Sequence, residues 1–285
     1  MGFSNLLCAA ITPALLALVV FALLWKFAGT RTAGGAAAIA GMALSAGVCG
    51  GYLASIRLLS LARPYPVDGW EWLPWLTLLA SVVGGAAASP RWPRWLLPAL
   101  AGGVAILVAA IVVPRWPSLL PQRPWWMAVG AVAVAGSWVV LDAMWRDRRG
   151  LTAPVALALA GTTIAIVAAL SGSLKFGQLA GFGVAALAGT ILAAYIGSAI
   201  GSVRGAIPGF TVQVYGTLLV AYLYSADSIP VAAFLLAGAG PLLLATVGHH
   251  RITANTGRWQ SVLELAAVLI PGAVAIWLAR PQATW

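Results

Sequence analysis

Polar side chains are scarce in this sequence, so those that fall inside apolar runs carry most of its chemical information. Between Pro208 and Ser225, residues Thr211, Tyr215, Tyr222 and Ser225 share one helical face, with Gln213, Thr217 and Tyr224 on an adjacent one. Such a face does not suit lipid, where an unpaired polar group finds no water. It suits a wet cavity or hydrogen bonds to neighbouring helices, and Gln213 and Tyr215 are the side chains expected to line a cavity. With Thr211 and Tyr222 they form a candidate site for a small molecule or an ion. Two acids also lie within apolar runs, Glu264 and Asp142. A charge at the bilayer centre costs at least about 2.5 to 3.5 kcal/mol, so both are candidates for proton or cation coupling. Arg146, one helical turn from Asp142, offers an ordinary ion pair.

Other chemistries lack their residues. His249 and His250 are adjacent and so do not share a helical face, and no carboxylate or third ligand stands near them at metal-binding spacing. Cys8 and Cys49 lie in separate apolar runs and read as small packing residues rather than as a disulfide or zinc pair. There is no Ser-His-Asp pattern, no glycine-rich phosphate loop and no HExxH. The sequence therefore predicts no catalytic residue, no metal site and no cofactor, and no loop is long enough to hold a cofactor domain.

The elements that must position these side chains follow from composition. Hydrophobic residues make up 62% of 285 positions and charged residues 8%, too few to cover a water-soluble fold of this length. Mean hydropathy is +0.97. The apolar residues fall in blocks long enough to span a bilayer as helices, and strand-like alternation is absent. The expected fold is an all-α polytopic membrane protein of about ten spans, near 6–27, 34–56, 70–88, 95–113, 125–144, 152–172, 176–200, 208–225, 228–247 and 260–279. Nine is the alternative count, because only Asp227 and Pro230 separate the eighth block from the ninth.

The net charge of +10 comes from Arg and Lys at block ends, a topological placement rather than a nucleic-acid surface. With ten spans, the odd-numbered loops hold Lys26, Arg31, Arg91, Arg94, Arg146, Arg148, Arg149, Arg204, Arg251 and Arg258, and the even loops and tail hold six basic residues. Positive-inside bias then places both termini outside, in the periplasm if Arg-over-Lys usage and abundant Ala, Gly and Pro are read as GC-rich bacterial coding. The expected location is a bacterial inner membrane. No basic residue precedes the first block, which reads as a spanning helix rather than a cleaved leader. Most of the 14 tryptophans stand at block edges, as belt anchors do; Trp138, mid-block, is the exception.

A weak internal repeat relates the halves. Gly34, Ala38, Ala46, Gly50, Ser55 and Arg57 match Gly181, Ala185, Ala193, Gly197, Ser202 and Arg204 at one constant offset. Lys26-Phe27 pairs with Lys175-Phe176, and Thr77-Leu78-Leu79 with Thr217-Leu218-Leu219, at shifted offsets. If the halves are residues 1–149 and 150–285, each holds an odd number of helices, so the second enters from the opposite side and the repeat is inverted. Small residues recur every fourth position through Gly177, Gly181, Ala185, Gly189, Ala193, Gly197, Gly201 and Gly205, which predicts close helix packing around the seventh span. Between Gly201 and Gly209, Gly and Pro invite a break before the eighth span, with Arg204 an interface charge.

In its layout of ten helices in five-plus-five inverted halves, the chain resembles the drug/metabolite transporters. The resemblance is architectural and rests on no motif; that family usually starts inside, whereas the charges here place the start outside. It implies a small-molecule or ion secondary transporter that alternates access between its halves. The alternative from composition is a non-catalytic membrane subunit or scaffold, whose partners would be other membrane subunits; a membrane-embedded enzyme is a lesser reading. Expected partners otherwise are membrane lipids and a small-molecule or ion substrate.

Overall fold

The computed structural model describes residues 3–28, 33–59, 65–87, 93, 95–145, 150–225, 229–249 and 257–280. Among them are ten α-helices and no strand: α1 (Phe3–Ala28), α2 (Ala33–Leu59), α3 (Leu73–Ala87), α4 (Leu96–Val112), α5 (Arg123–Trp145), α6 (Thr152–Leu170), α7 (Leu174–Ile196), α8 (Ile207–Tyr224), α9 (Val231–His249) and α10 (Gly257–Leu278). A 3-10 turn, Gly69–Trp72, leads into α3, and a 3-10 segment, Ile200–Ala206, leads into α8.

The fold is an all-helical membrane type. Among the described residues, six segments are long and apolar enough to cross a bilayer: Gly34–Ile56, Arg123–Trp145, Thr152–Leu170, Leu174–Ile196, Ile200–Tyr224 and Trp259–Leu278. Ile11–Phe27, Leu96–Val112 and Val231–Val247 are shorter apolar helices. At 15 residues, α3 is about 22 Å long.

Proline placement shows how the sequence sets these helices. Pro74, Pro98, Pro124, Pro154 and Pro208 all stand in first turns, where the missing N–H has no intrahelical partner to lose. Pro13, Pro241 and Pro271 are interior. At its far end α7 closes in a Schellman pattern: the Ala199 N–H donates to Ala194 O at 2.7 Å and the Ser198 N–H to Tyr195 O at 3.1 Å. Ser198 carries a φ of 53°, the left-handed conformation that glycine adopts at least cost, while Gly197 sits one place too early to serve.

Helix α8 is the axis of the bundle. It packs against α2, α3, α4, α5, α6, α7 and α9, and almost every residue along it is buried. Around it, α1 packs on α2 and α7, α6 on α7, α9 and α10, and α4 on α5. Helix α10 rests on α6 and α9 and leaves Val262, Ile270, Val274 and Trp277 exposed.

The ladder of small residues does not form one face. A step of four residues advances about 400°, so the row drifts about 40° per step around the helix. Gly177 accordingly meets Ala165 and Ala169 of α6, whereas Gly189 lies against the Ala14 backbone of α1. Gly197 caps α7 near Trp25, a Cβ at Gly181 or Gly201 would meet nothing within 4 Å, and Gly201 already belongs to the 3-10 segment. The tightest approach is at Gly205, where a Cβ would collide with the Ala37 carbonyl of α2.

Candidate functional site around helix α8

At the Ile207 end of α8, the 3-10 segment is wedged among α2, α3 and α5. Gly41 approaches Gly205 O, Gly84 approaches Pro208, and Gly209 approaches Ser81 Oγ, so backbone stands where side chains would otherwise separate the helices. This wedge holds Arg204 against the last turn of α5. Arg204 Nε donates to Asp142 Oδ1 at 2.7 Å and Nη2 to Asp142 Oδ2 at 2.8 Å, a bidentate pair of the strong fork geometry. The side chains are 24% and 6% exposed respectively. Asp142 thus has a partner 62 positions away; Arg146, the partner expected from helical spacing, lies outside the described residues. The same end holds Ser81 Oγ, Trp138 Nε1 and Ser202 Oγ, all buried without a hydrogen-bond partner.

Midway along α8, Gln213 is fully buried and both ends of its amide are engaged. Thr77 Oγ1 of α3 donates to its Oε1 at 2.8 Å, and its Nε2 donates to Leu179 O of α7 at 2.7 Å. Gln213 ties three helices together rather than facing a cavity. Three hydroxyls of the polar face turn back on local backbone: Thr211 donates to Pro208 O, Thr217 to Gln213 O, and Ser225 to Ala221 O.

The two tyrosines face elsewhere. Tyr215 Oη donates to Gly238 O of α9 at 2.7 Å. Tyr222 packs on Trp126 and Phe234, with ring centroids 5.0 and 5.4 Å away. Together they line a cleft of about 290 Å³ between α5, α8 and α9, walled by Leu218, Leu219, Leu235 and Leu242. A second apolar groove, about 370 Å³, runs between α6 and α7 beside Leu192 and Tyr195.

At the Tyr224 end, the loop into α3 buries a carboxylate that composition and spacing did not single out. Glu71 is 4% exposed and accepts the Val67 N–H at 2.6 Å and the Asp68 N–H at 3.2 Å. Trp70 meets Phe176, and Phe176 and Trp116 both meet Tyr224, in edge-on contacts with centroids 5.9, 5.3 and 4.6 Å apart. A polar cleft of about 420 Å³ opens there between Asp68, Trp72, Arg115, Trp116 and Tyr224. The signal available in the sequence was the step Asp68-Gly69-Trp70-Glu71, in which an acid at the third helical position reaches back to the cap backbone.

Glu264 stands apart. It is 2% exposed and accepts from Gln260 Nε2 at 3.1 Å, on α10, whose neighbours are α6 and α9. Nearby, Ser261 and Thr152 share a hydrogen bond of 3.2 Å that joins α10 to α6. Thr211, Gln213, Tyr215 and Tyr222 therefore gather on α8, Asp142 joins them at one end, and Glu264 does not. His250, Arg251 and Asn255 lie outside the described residues, among which no group of His, Cys, Asp and Glu forms a metal site. No family model matches the chain, and comparison with curated proteins and with solved structures finds no match.

Proposed function

We propose that the chain is a small-molecule secondary transporter of ten spans, in which the halves 1–149 and 150–285 alternate access around α8. The observation that carries this reading is the Asp142–Arg204 pair, a partly buried ion pair between the first half and the helix break of the second. Ionisable groups within apolar helices are functional candidates by default, and a pair held at one end of the central helix can be released and remade as the halves rock. A proton or a cation on Asp142 would compete with Arg204 and couple release to ion movement.

Two features support the inverted relation between the halves. Its counterpart helices, α2 with α7 and α3 with α8, pack against each other, and a 3-10 element precedes both α3 and α8. In this reading both termini lie outside, the Arg204 end faces the cytoplasm of a bacterium, and the Glu71 end faces the periplasm.

The second reading, a non-catalytic membrane subunit, draws on the Gln213 junction, which ties α3, α7 and α8 through their middles. Modification of a buried thiol separates the two. Val203 is fully buried in the 3-10 segment, and cysteine fits its space. In a Cys8→Ala, Cys49→Ser background, Val203→Cys should react slowly with N-ethylmaleimide and at least about tenfold faster once Asp142→Asn breaks the pair, a shift worth about 1.4 kcal/mol. Equal slow rates in both proteins would refute the transporter reading and favour the subunit.

A further inference from the structure

The cleft between α5, α8 and α9 opens sideways between α5 and α9, past Val231, Leu235 and Leu242, which are 48%, 67% and 36% exposed on the lipid-facing surface. No charged residue lines it. Its walls are leucine and aromatic rings, yet its floor carries two hydroxyls near the middle of the bundle, Tyr215 and Ser137. Tyr215 spends its proton on Gly238 O. Ser137 is 1% exposed and sits beside the Tyr215 hydroxyl, with no hydrogen bond of good geometry to its Oγ, although helical serines commonly donate to a carbonyl one turn back. A buried hydroxyl so weakly engaged is unfavourable in a medium without water, and here it stands in the floor of a cleft with an apolar mouth.

We propose that this cleft binds the head of a neutral, chain-bearing carbonyl compound taken directly from the bilayer, with Ser137 Oγ–H donating to the carbonyl oxygen. The class follows from what the site offers. A donor without a well-formed hydrogen bond asks for an acceptor, the absence of any counter-charge disfavours an ionised head, and the lateral mouth leaves room for a chain to remain among the lipids. At about 30 Å³ per non-hydrogen group, 290 Å³ holds roughly ten such groups, enough for a head and the start of a chain. The proposal names a substrate class for the transporter read above and rests on that reading for transport, whereas binding is measured without it.

The test is photolabelling of the full chain in phosphatidylcholine nanodiscs with two probes of equal length, an alkyl diazirine ending in a methyl ketone and the same diazirine ending in a methyl group. Label is mapped by mass spectrometry to the peptides that bear Ser137, Tyr215 and Gly238. The ketone should label them about fivefold more than the hydrocarbon, the ratio one neutral hydrogen bond supplies. Ser137→Ala, which removes a single oxygen from a helix, should bring that ratio to about one while hydrocarbon labelling persists, and Ser137→Thr should restore it. Equal labelling by both probes in the unmodified chain, or a ratio that Ser137→Ala leaves unchanged, would overturn the proposal and leave a groove for lipid tails. A ketone preference in a protein whose halves stay fixed would retain the site and remove transport.

Discussion

The side chains around α8 divide by what their polar atoms are bonded to. Gln213 spends both ends of its amide on other helices, so it acts as a clamp. Hydrogen bonds within membrane bundles average about 0.6 kcal/mol, so Gln213→Leu should lower stability in detergent by about 1 kcal/mol, read by thermal or denaturant unfolding. A double-mutant cycle with Thr77→Val should recover one bond of that size as coupling. Asp142 and Arg204 are more costly to separate, because removing one leaves the other charged in a partly buried site. Asp142→Asn should cost about 2 kcal/mol, less than a fully buried pair because Arg204 keeps 24% of its side chain exposed. The exchange Asp142→Arg with Arg204→Asp should return part of it. Periodicity put Gln213, Tyr215, Thr211 and Tyr222 on one helix, but not which faces would be sealed. The partner of Asp142 lay 62 residues away, beyond any helical spacing, and the burial of Glu71 depended on a cap that reads as loop.

At the scale of elements, apolar run length made the helices legible, and the described helices follow the expected blocks with ends shifted by a few residues. The break before α8 was likewise visible in its Gly and Pro residues. Less legible was the direction of the small-residue ladder, because a four-residue repeat winds around a helix instead of lining one side. This yields contrasting expectations for chemically identical changes. Gly205→Ala should abolish folded protein, since its Cβ would collide with the Ala37 backbone, which cannot step aside. Gly181→Ala should be neutral or gain up to about 1 kcal/mol from helix propensity, with yield and thermal stability as the readouts. Ser198→Gly should stabilise the end of α7 by about 1 kcal/mol, because Ser198 holds a φ of 53° that costs an L-residue about that much.

For the whole molecule, the membrane-type fold follows from composition, while the number of spans and the relation of the halves belong to the account proposed above. Ten spans with an outside start predict that alkaline phosphatase is active when fused after α10, and inactive when fused after α5 or α9, where Arg146 to Arg149 and Arg251 to Arg258 would hold the loops inside. Activity in the opposite pattern would invert the topology and place the Asp142–Arg204 pair at the outer face.

In the proposed transporter the Asp142–Arg204 pair latches two halves that move. Spin labels at Ala143 on α5, which is exposed, and at Gly201 in the 3-10 segment, where a side chain meets nothing within 4 Å, flank the latch. Their distance distribution in nanodiscs, measured by pulsed electron paramagnetic resonance, should show one short component in the intact protein and a second, longer one when Asp142→Asn breaks the pair. A single short distance that persists in Asp142→Asn would contradict the latch and, with it, alternating access around α8.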